Sequence, residues 1–409
     1  MTQECRNFIT EGDFRRILAC NCEGIEQLQI PGYQTRSQKQ IKWDSGKERL
    51  NKQKNQEEDS MTLDEALKQI KEPDRTAMEA CKKRWDSIAK PLHSLGKMED
   101  SLIRIAGMTG TSDISLDKKG LIVMCADNGV VEEGVTQTGQ EVTAIVSENF
   151  LKKQATASIL CQVAGADIFP VDIGIASDTN IINRKIAYGT KNMTKGPAMT
   201  REEALRALET GIEMVGDLKK KGYKVLATGE MGIGNTTTSS AVASVLLGVE
   251  PEIVTGRGAG LSSEGLCRKI AAIKRAVKVN GPDAQDGVDV LAKVGGFDLA
   301  GLAGVFLGGA AFGVPIVVDG FISAASALAA AAICPMAKEY MLASHVSKEP
   351  AARMILDALG LEASLHCDMC LGEGTGAVAF FPLLTMADAV YNGMSTFQEI
   401  QVEEYKPLD

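Results

Sequence analysis

The chain has 409 residues, of which 44% are hydrophobic and 24% charged, so it is long enough to bury two or three domains or one large α/β domain. Its formal net charge of −9 argues against a broad nucleic-acid surface, which needs a basic patch. Small anionic substrates remain possible, because a helix N-terminus binds phosphate whatever the global charge. The ten cysteines show no disulfide-framework spacing and no signal peptide is recognisable, which favours a reducing cytoplasm.

The first 60 residues differ from the rest of the chain. They are polar and lack a sustained hydrophobic period, and residues 52–59 are an unbroken run of Lys, Gln, Asn, Glu and Asp. This composition is typical of a disordered leader or of a segment that is not native to the protein. Directly after Met61, Thr62 and Glu65 have the spacing of a capping box. We therefore predict that the folded part begins at about residue 61.

The segments that follow alternate between helix and strand patterns. Residues 62–107 are predicted to form two or three amphipathic helices, which Pro73 and Pro91 interrupt. From residue 121, short apolar runs alternate with helical stretches, as in parallel sheets whose strands are buried on both faces. The predicted strands are 121–125, 168–173, 224–227 and 314–318, and the predicted helices between and after them include 237–247, 261–277 and 322–333.

This alternation predicts an α/β fold, a doubly wound and mainly parallel sheet of the Rossmann-like kind. After about residue 338 the helical period returns. Because both ends of the chain are rich in helices, a smaller helical domain is predicted to combine residues 61–80 with residues 339–409. The large α/β domain is then predicted to span residues 81–338.

One apolar stretch raises the alternative of a membrane protein. Residues 299–318 form an uncharged stretch that is long enough to span a bilayer. Within it, Gly304 and Gly308 have the spacing that membrane helices use for close packing. Gly313 and Pro315 interrupt the stretch before a β-branched run. These breaks favour a buried helix followed by a buried strand in a soluble protein, without membrane contact.

The most informative loop is predicted at residues 229–238, which read Gly-Glu-Met-Gly-Ile-Gly-Asn-Thr-Thr-Thr after a predicted strand. A Gly-rich turn that opens a Thr-rich helix presents backbone N–H groups to an anion, so phosphate or ribose binding is predicted. The loop lacks the Lys of the nucleotide-triphosphate motif, which leaves ATP hydrolysis unsupported. The alternative is a tight strand-to-helix turn with Thr caps.

A second Gly-rich segment, residues 256–260, precedes the predicted helix that carries Lys269. Its last two glycines are two residues apart, whereas the dinucleotide-binding fingerprint places them three apart. A third segment, residues 371–376, places Glu373 between glycines. A carboxylate in that setting is open to close approach, and in a pocket its pKa would rise toward the range of a general base. A Glu in a surface turn is the alternative.

Other residues with catalytic chemistry give weaker patterns. Asp127 and Asp319 each follow a predicted strand, where an acid can brace a loop, cap a helix or contact substrate. His345 is the only histidine near the candidate segments, and none of the three belongs to a triad or metal pattern. Cys367 and Cys370 form a lone Cys-x-x-Cys beside a histidine, and without a second pair neither a metal nor a redox site is predicted.

Together, these segments resemble the nicotinate-nucleotide:dimethylbenzimidazole phosphoribosyltransferases of the cobalamin pathway. The Gly-Glu-Met-Gly-Ile-Gly-Asn-Thr-Thr and Leu-Gly-Glu-Gly-Thr-Gly blocks are the most specific matches, and all matches occur in the family's order over about residues 61–400. The supporting matches are Lys90-Pro91, Ser94-Leu95-Gly96, Ala126-Asp127-Asn128-Gly129-Val130, Glu132-Glu133-Gly134-Val135-Thr136, Gly256-Arg257-Gly258 and Val318-Asp319-Gly320-Phe321. The family usually has His where this chain has Asn128, a departure expected to affect loop bracing.

The resemblance implies an enzyme that displaces nicotinate from C1′ of nicotinate mononucleotide. A ring nitrogen of 5,6-dimethylbenzimidazole, or of a related base, attacks with inversion and gives α-ribazole 5′-phosphate. The resemblance also implies a homodimer that needs no metal or other cofactor, because the leaving group is already cationic and departs neutral.

The resemblance assigns roles to twelve residues. Glu373 matches the catalytic base, and Glu230 is our candidate for stabilising positive charge on the ribose or for holding its hydroxyls. Thr136 and Met231 match the base pocket. The residues expected to hold the phosphate and ribose are Gly232, Gly234, Asn235, Thr236, Gly258, Lys269, Ser347 and Leu371.

The leading alternative is a non-catalytic α/β protein that binds a nucleotide or phosphate. It would use the Gly-rich loop around Gly232 and Gly234 but would need no acid at Glu373. A Glu373→Gln variant discriminates between the two hypotheses, because only the enzyme would keep its ligand and lose turnover.

Overall fold

The computed structural model describes residues 61–406, so the predicted leader lies outside the described residues. The described chain forms a sheet of six parallel strands in the order β3-β2-β1-β4-β5-β6, which confirms the predicted α/β class. The strands are β1 (Lys119–Ala126), β2 (Ala166–Gly174), β3 (Ile182–Asn183), β4 (Val225–Met231), β5 (Ile316–Val318) and β6 (Met341–Ala343).

The strand order shows why helices cover both faces of the sheet. From β1 the chain steps in one direction to β2 and β3, and from β4 it steps in the opposite direction to β5 and β6. Crossovers between parallel strands are right-handed, so the two directions place their helices on opposite faces. Accordingly, every residue of β1 is buried, as the uniformly apolar run from Leu121 to Cys125 predicts.

Helices make up most of the rest of the described chain. The predicted capping box at the start of the first helix is confirmed: the Thr62 hydroxyl accepts the N–H of Glu65, and the Glu65 carboxylate accepts the N–H of Thr62. The helices are α1 (Leu63–Gln69), α2 (Arg75–Ser87), α3 (Lys97–Thr109), α4 (Glu141–Leu151), α5 (Thr156–Ala164), α6 (Arg201–Lys220), α7 (Asn235–Leu247), α8 (Pro251–Val254), α9 (Ser263–Asn280), α10 (Gly287–Val294), α11 (Phe297–Phe312), α12 (Phe321–Ile333), α13 (Ala352–Leu359) and α14 (Thr375–Gly393).

The two ends of the described chain pack together, as the helix-rich composition of both ends suggests. The Trp85 ring in α2 lies 5.1 Å from the ring of Tyr391 in the last turn of α14, measured between centroids. The Tyr391 hydroxyl donates to Ser112 O at 2.9 Å, and the Tyr340 hydroxyl donates to Lys71 O at 3.0 Å. The division into a separate small domain (61–80 with 339–409) and a large domain (81–338) stays a prediction.

Two strands at the sheet edges were not predicted. β3 has two residues and β6 has three, both shorter than the runs that an apolar pattern can reveal. β6 falls in the region expected to be helical only, and it forms because residues 341–343 pair in register with residues 316–318 of β5. Its backbone hydrogen bonds therefore depend on a tertiary contact that no local signal records.

The uncharged stretch 299–318 folds as predicted, into a buried helix and a buried strand. It supplies most of α11, which ends at Gly313 in the left-handed conformation, and then β5. Gly304 lies against Leu208 of α6, and a Cβ there would come within 2.7 Å of the Leu208 carbonyl carbon. The Gly-x-x-x-Gly spacing thus serves close helix packing inside the fold. Within residues 61–406, no helix combines the length and the apolar character that crossing a membrane requires.

This packing predicts that Gly304→Ala destabilises the protein. The added methyl would force α6 and α11 apart, and overpacking of this kind costs about 1–3 kcal/mol. Urea denaturation should show the loss as a lower midpoint. Gly393→Ala is the matched control, because a Cβ at that helical glycine meets nothing within 4 Å. Equal midpoints for the two variants would contradict the packing argument.

Candidate active site

A cavity of about 320 Å³ lies at the carboxyl ends of β4, β5 and β6, and residues 135–138, in the connection that follows β1, also line it. Ligands of doubly wound sheets bind in this position. Eleven of the twelve residues predicted from the sequence line the cavity, and only Lys269 does not. The eleven are Thr136, Glu230, Met231, Gly232, Gly234, Asn235, Thr236, Gly258, Ser347, Leu371 and Glu373.

The Gly-rich loop joins β4 to α7. Gly234 precedes α7 with φ +97°, a conformation that favours glycine, and no side chain caps this helix N-terminus. The first turn of α7 therefore faces the cavity, as a phosphate site requires. The backbone N–H of Asn235 already donates to Gly232 O at 3.2 Å. This N–H is therefore used inside the loop and is not free to bind a phosphate.

Lys269 lies directly behind that loop. Its ammonium group donates to Thr236 Oγ1 at 2.8 Å and to Gly256 O at 3.1 Å, and its side chain is almost fully buried. Burial lowers the pKa of Lys269 to about 8, an effect that the negative charge of Glu349 partly offsets. A Cβ on Gly258 would lie 3.5 Å from the Lys269 Nζ, which places this cation next to two predicted phosphate contacts.

Glu230 ends β4 and faces the cavity with a buried carboxylate. The Asn235 side-chain amide donates to Glu230 Oε2 and, at 3.1 Å, to Oδ2 of the buried Asp298. Burial raises the pKa of Glu230 to about 8, and the negative charge of Asp298 adds to the shift. Glu230 is therefore an acid held partly protonated near neutral pH in the free protein.

The loop before α14 carries Glu373 in an unusual backbone conformation. Gly372, Glu373 and Gly374 have φ values of +90°, +60° and +87°, and a residue other than Gly or Asn in this region costs about 1–2 kcal/mol. Asp319 stabilises the loop, since its carboxylate accepts the N–H of Gly374 at 3.2 Å and of Ala377 at 2.9 Å. Of the roles that the sequence left open for Asp319, bracing this loop is the one observed.

The same loop lies against β4 by direct backbone contact. A Cβ on Gly229 would come within 2.8 Å of the Glu373 carbonyl carbon, and one on Gly374 within 3.2 Å of the Gly229 Cα. Glycine at both positions thus lets the two backbones meet. The contact sets the Glu373 loop beside the strand that carries Glu230.

The Glu373 side chain is also held at its far end. Its Oε2 accepts the N–H of Ala157 at 3.1 Å, in the first turn of α5, which has no side-chain cap of its own because Ala155 precedes it. Burial raises the pKa of Glu373, and the Ala157 hydrogen bond opposes that shift. One oxygen of the carboxylate is therefore fixed by the protein.

The cavity wall near Thr136 and Met231 is mostly apolar. The Thr136 hydroxyl donates to Thr138 O at 2.9 Å, so this hydroxyl is bonded within its own turn. Other apolar side chains that line the cavity are Val135, Val146, Leu261, Phe321, Ile322 and Leu371. Apolar surface beside a carboxylate suits a flat, weakly basic ring.

The site just described has counterparts in known proteins. A sequence model of the family described as Phosphoribosyltransferase matches residues 70–402. The chain belongs to this phosphoribosyltransferase family.

Individual relatives agree with this assignment. A protein of Ruminiclostridium cellulolyticum named nicotinate-nucleotide–dimethylbenzimidazole phosphoribosyltransferase is 50% identical over 352 residues, which cover 85% of this chain and 100% of the relative. One of the same name from Clostridium acetobutylicum is 49% identical over 351 residues, with 85% and 100% covered. The crystal structure of CobT from Thermus thermophilus superposes with a TM-score of 0.76 at 39% identity and covers 81% of this chain and 100% of that one.

These findings confirm the family resemblance and the prediction that the protein is an enzyme, a phosphoribosyltransferase. The motifs that carried the resemblance are also the ones that form the cavity. Glu230 and Gly232 come from the first Gly-rich block, and Leu371 and Glu373 come from the last.

Some polar residues of the phosphoribosyltransferase site were missed from the sequence. Asp298 is fully buried beneath Asn235, and Glu349 lies near Lys269. His345, which the sequence placed near the candidate segments without a role, also lines the cavity, and its Nδ1 shares a hydrogen bond of 3.0 Å with the Ser344 hydroxyl. The available signal for Asp298 was its position as the last charge before the long uncharged stretch, which marks a buried carboxylate without indicating its partners.

The lone Cys-x-x-Cys of the phosphoribosyltransferase is exposed at both cysteines, and Cys370 lines the cavity. Within residues 61–406, no group of three or more His, Cys, Asp or Glu side chains is placed to hold a metal ion. The other strand-end acid, Asp127, braces a loop, because its Oδ2 accepts the N–H of Ala176 at 2.8 Å.

Asp319→Asn is predicted to destabilise this phosphoribosyltransferase by about 1–3 kcal/mol, since one of the two N–H groups at the start of α14 would lose a buried acceptor. Urea denaturation measures the change. Asp357→Asn is the control, because Asp357 is exposed on α13. The bracing role of Asp319 fails if both variants unfold at the midpoint of the unmodified protein.

Proposed function

We propose that this phosphoribosyltransferase moves the phosphoribosyl group of nicotinate mononucleotide to 5,6-dimethylbenzimidazole or a related flat base. The products would be nicotinate and α-ribazole 5′-phosphate, formed with inversion at C1′ for the nucleotide loop of cobalamin. The observation that carries the proposal is the placement of Glu230 and Glu373 on one cavity beside an uncapped helix N-terminus.

Glu373 is proposed as the general base. As one ring nitrogen of the benzimidazole bonds to C1′, the other nitrogen becomes acidic and its proton must leave. A carboxylate with a raised pKa accepts that proton efficiently near neutral pH. Because Ala157 already holds Oε2, Oε1 is the oxygen available to the base.

Glu230 is proposed to stabilise positive charge on the ribose. As the pyridinium ring departs, the positive charge moves to C1′ and the ring oxygen, and a fixed carboxylate lowers the energy of that state. The nicotinate leaves neutral at its ring nitrogen. No metal ion is then needed to activate the leaving group.

The 5′-phosphate is proposed to bind at the start of α7. The amides of Gly232, Gly234 and Thr236 would face it, with Lys269 close behind the loop and Gly258 alongside. Ser347 and Leu371, which line the cavity, are proposed to contact the ribose or the nicotinate ring. Asn235 is proposed to act through its side chain, because its N–H already serves the loop.

The remaining features of the proposal concern the partners and location. The apolar wall with Thr136 and Met231 would hold the incoming base, and it would admit several flat rings. Small molecules are the proposed partners, with no nucleic acid or membrane. We propose a cytoplasmic homodimer that uses no cofactor.

The reaction is tested by incubating the purified enzyme with nicotinate mononucleotide, with and without 5,6-dimethylbenzimidazole. Chromatography should show nicotinate release only when the base is present, together with an equal amount of α-ribazole 5′-phosphate. Tight binding of the mononucleotide without release in the presence of any flat base would instead favour the non-catalytic binding protein.

Glu373→Gln should keep mononucleotide binding and lose turnover. Removing a general base typically lowers the rate about 10²–10⁴-fold, whereas a Gln side chain can still accept the Ala157 N–H. Calorimetric binding and nicotinate release measure the two effects separately. Turnover at the native rate would refute the proposed role of Glu373.

Lys269→Met should raise the KM for nicotinate mononucleotide about 10–100-fold, the effect of losing a charged hydrogen bond. Because the pKa of Lys269 in the free protein is about 8, the amine is cationic below that pH and neutral above it. Mononucleotide affinity of the unmodified enzyme should therefore fall as the pH rises through about 8. The variant should lack this pH step; a step that persists would exclude Lys269 as its source.

A further inference from the structure

We propose that Asp298 is a positioning residue for Glu230. Through the side-chain amide of Asn235, Asp298 fixes the Glu230 carboxylate toward the ribose, and the two carboxylates share one proton. The inference rests on the proposed role of Glu230 at the ribose and assigns a function to a residue outside the cavity.

The geometry places Asn235 between the two acids. A single atom, Asn235 Nδ2, donates to Glu230 Oε2 and, at 3.1 Å, to Asp298 Oδ2. An amide nitrogen has two hydrogens, so both are used and the amide plane is fixed. Asp298 itself is held because its Oδ1 accepts the N–H of Leu299 at 3.0 Å. Any movement of Asp298 would therefore reorient the donor that Glu230 depends on.

The fold makes room for Asp298 at this point. A Cβ on Gly232 would lie 2.7 Å from Asp298 Oδ2, so the Gly-rich loop can pass over the buried carboxylate only because residue 232 has no side chain. Asp298 is wholly inaccessible and does not line the cavity. It therefore has no direct contact with substrate, and the side chain of Asn235 links it to the cavity.

The charges around the pair explain the shared proton. Among the described residues, no Lys, Arg or His forms a salt bridge with Glu230 or Asp298. The other titratable groups acting on the pair are Asp319 and Cys125, which supply no positive charge. Two buried carboxylates in contact with one amide cannot both stay ionised cheaply.

The directions of the pKa values agree with this view. Burial raises the pKa of Asp298 to about 7, as it raises that of Glu230 to about 8 together with the charge of Asp298. When the mononucleotide occupies the cavity, the positive charge of its pyridinium ring favours ionisation of the nearer acid, Glu230. Asp298 then becomes the protonated member of the pair, and the total number of protons is unchanged.

The first test separates charge from position. Asp298→Asn stays neutral and keeps an acceptor for Asn235, so Glu230 should ionise more readily. The acidic limb of the kcat/KM profile for nicotinate mononucleotide should move about one unit to lower pH. Asp298→Ala removes the anchor and should lower kcat about 10–100-fold with little change in KM. Asp298→Asn should restore most of that loss.

Asp127→Asn is the matched control, because Asp127 is an equally buried strand-end acid that does not contact Asn235. Its variant should leave the acidic limb in place. Asp298 is not among the groups that shift the pKa of Glu373, so a moved limb reports on Glu230. If the acidic limb of Asp298→Asn stays at the pH of the unmodified enzyme, the proposal that Glu230 and Asp298 share one proton is overturned.

A double-mutant cycle tests the route through Asn235. If Asp298 acts through that amide, combining Asp298→Ala with Asn235→Ala should cost no more kcat than Asn235→Ala alone, whereas additive losses would overturn the route. The pH profile of Asp298→Asn tests the inference independently, because this variant keeps the shape of the Asp298 side chain.

Glu230→Gln separates this inference from the proposed function. Full turnover in Glu230→Gln would contradict both the proposed role of Glu230 at the ribose and the inference about Asp298. Lost turnover in Glu230→Gln with unchanged kinetics in the Asp298 variants would remove the inference alone.

Discussion

The backbone contact between Gly229 and Gly374 is the constraint on which the site depends. It brings a loop from the last third of the chain against β4, so that residues 143 positions apart, Glu230 and Glu373, face one cavity. Such an approach is possible only where neither backbone carries a Cβ. The Asp319 carboxylate then holds the loop in its left-handed conformation, which offsets the strain at Glu373.

A second theme is the treatment of negative charge. Glu230, Asp298 and Asp319 are buried close together, and hydrogen-bond donors rather than cations stabilise Glu230 and Asp298. When a carboxyl group is buried without a cation, its pKa rises toward neutral pH, where both the neutral and the ionised forms are populated. The positive charge of a pyridinium ring can change that balance when the ring binds nearby, which a permanent ion pair would prevent.

The fold class and most of the site could be predicted from the sequence, because their signals are local. A buried strand followed by Gly-Glu-Met-Gly-Ile-Gly specifies both a strand end and a helix start, and the cavity forms where such ends meet. Strand β6 and the partners of Asp298 could not be predicted in this way. Their structure depends on residues distant in sequence, namely β5 for the strand and Asn235 for the acid.

Helix α14 begins at the loop that carries Glu373 and ends where Tyr391 packs on Trp85. Its 19 residues make it about 28 Å long. The helix therefore connects two distant parts of the fold: its start follows Glu373 in the cavity lining, and its last turn packs on α2. A displacement of α2 would reach the Glu373 loop through this helix, so the packing of Tyr391 on Trp85 helps to hold that loop in position.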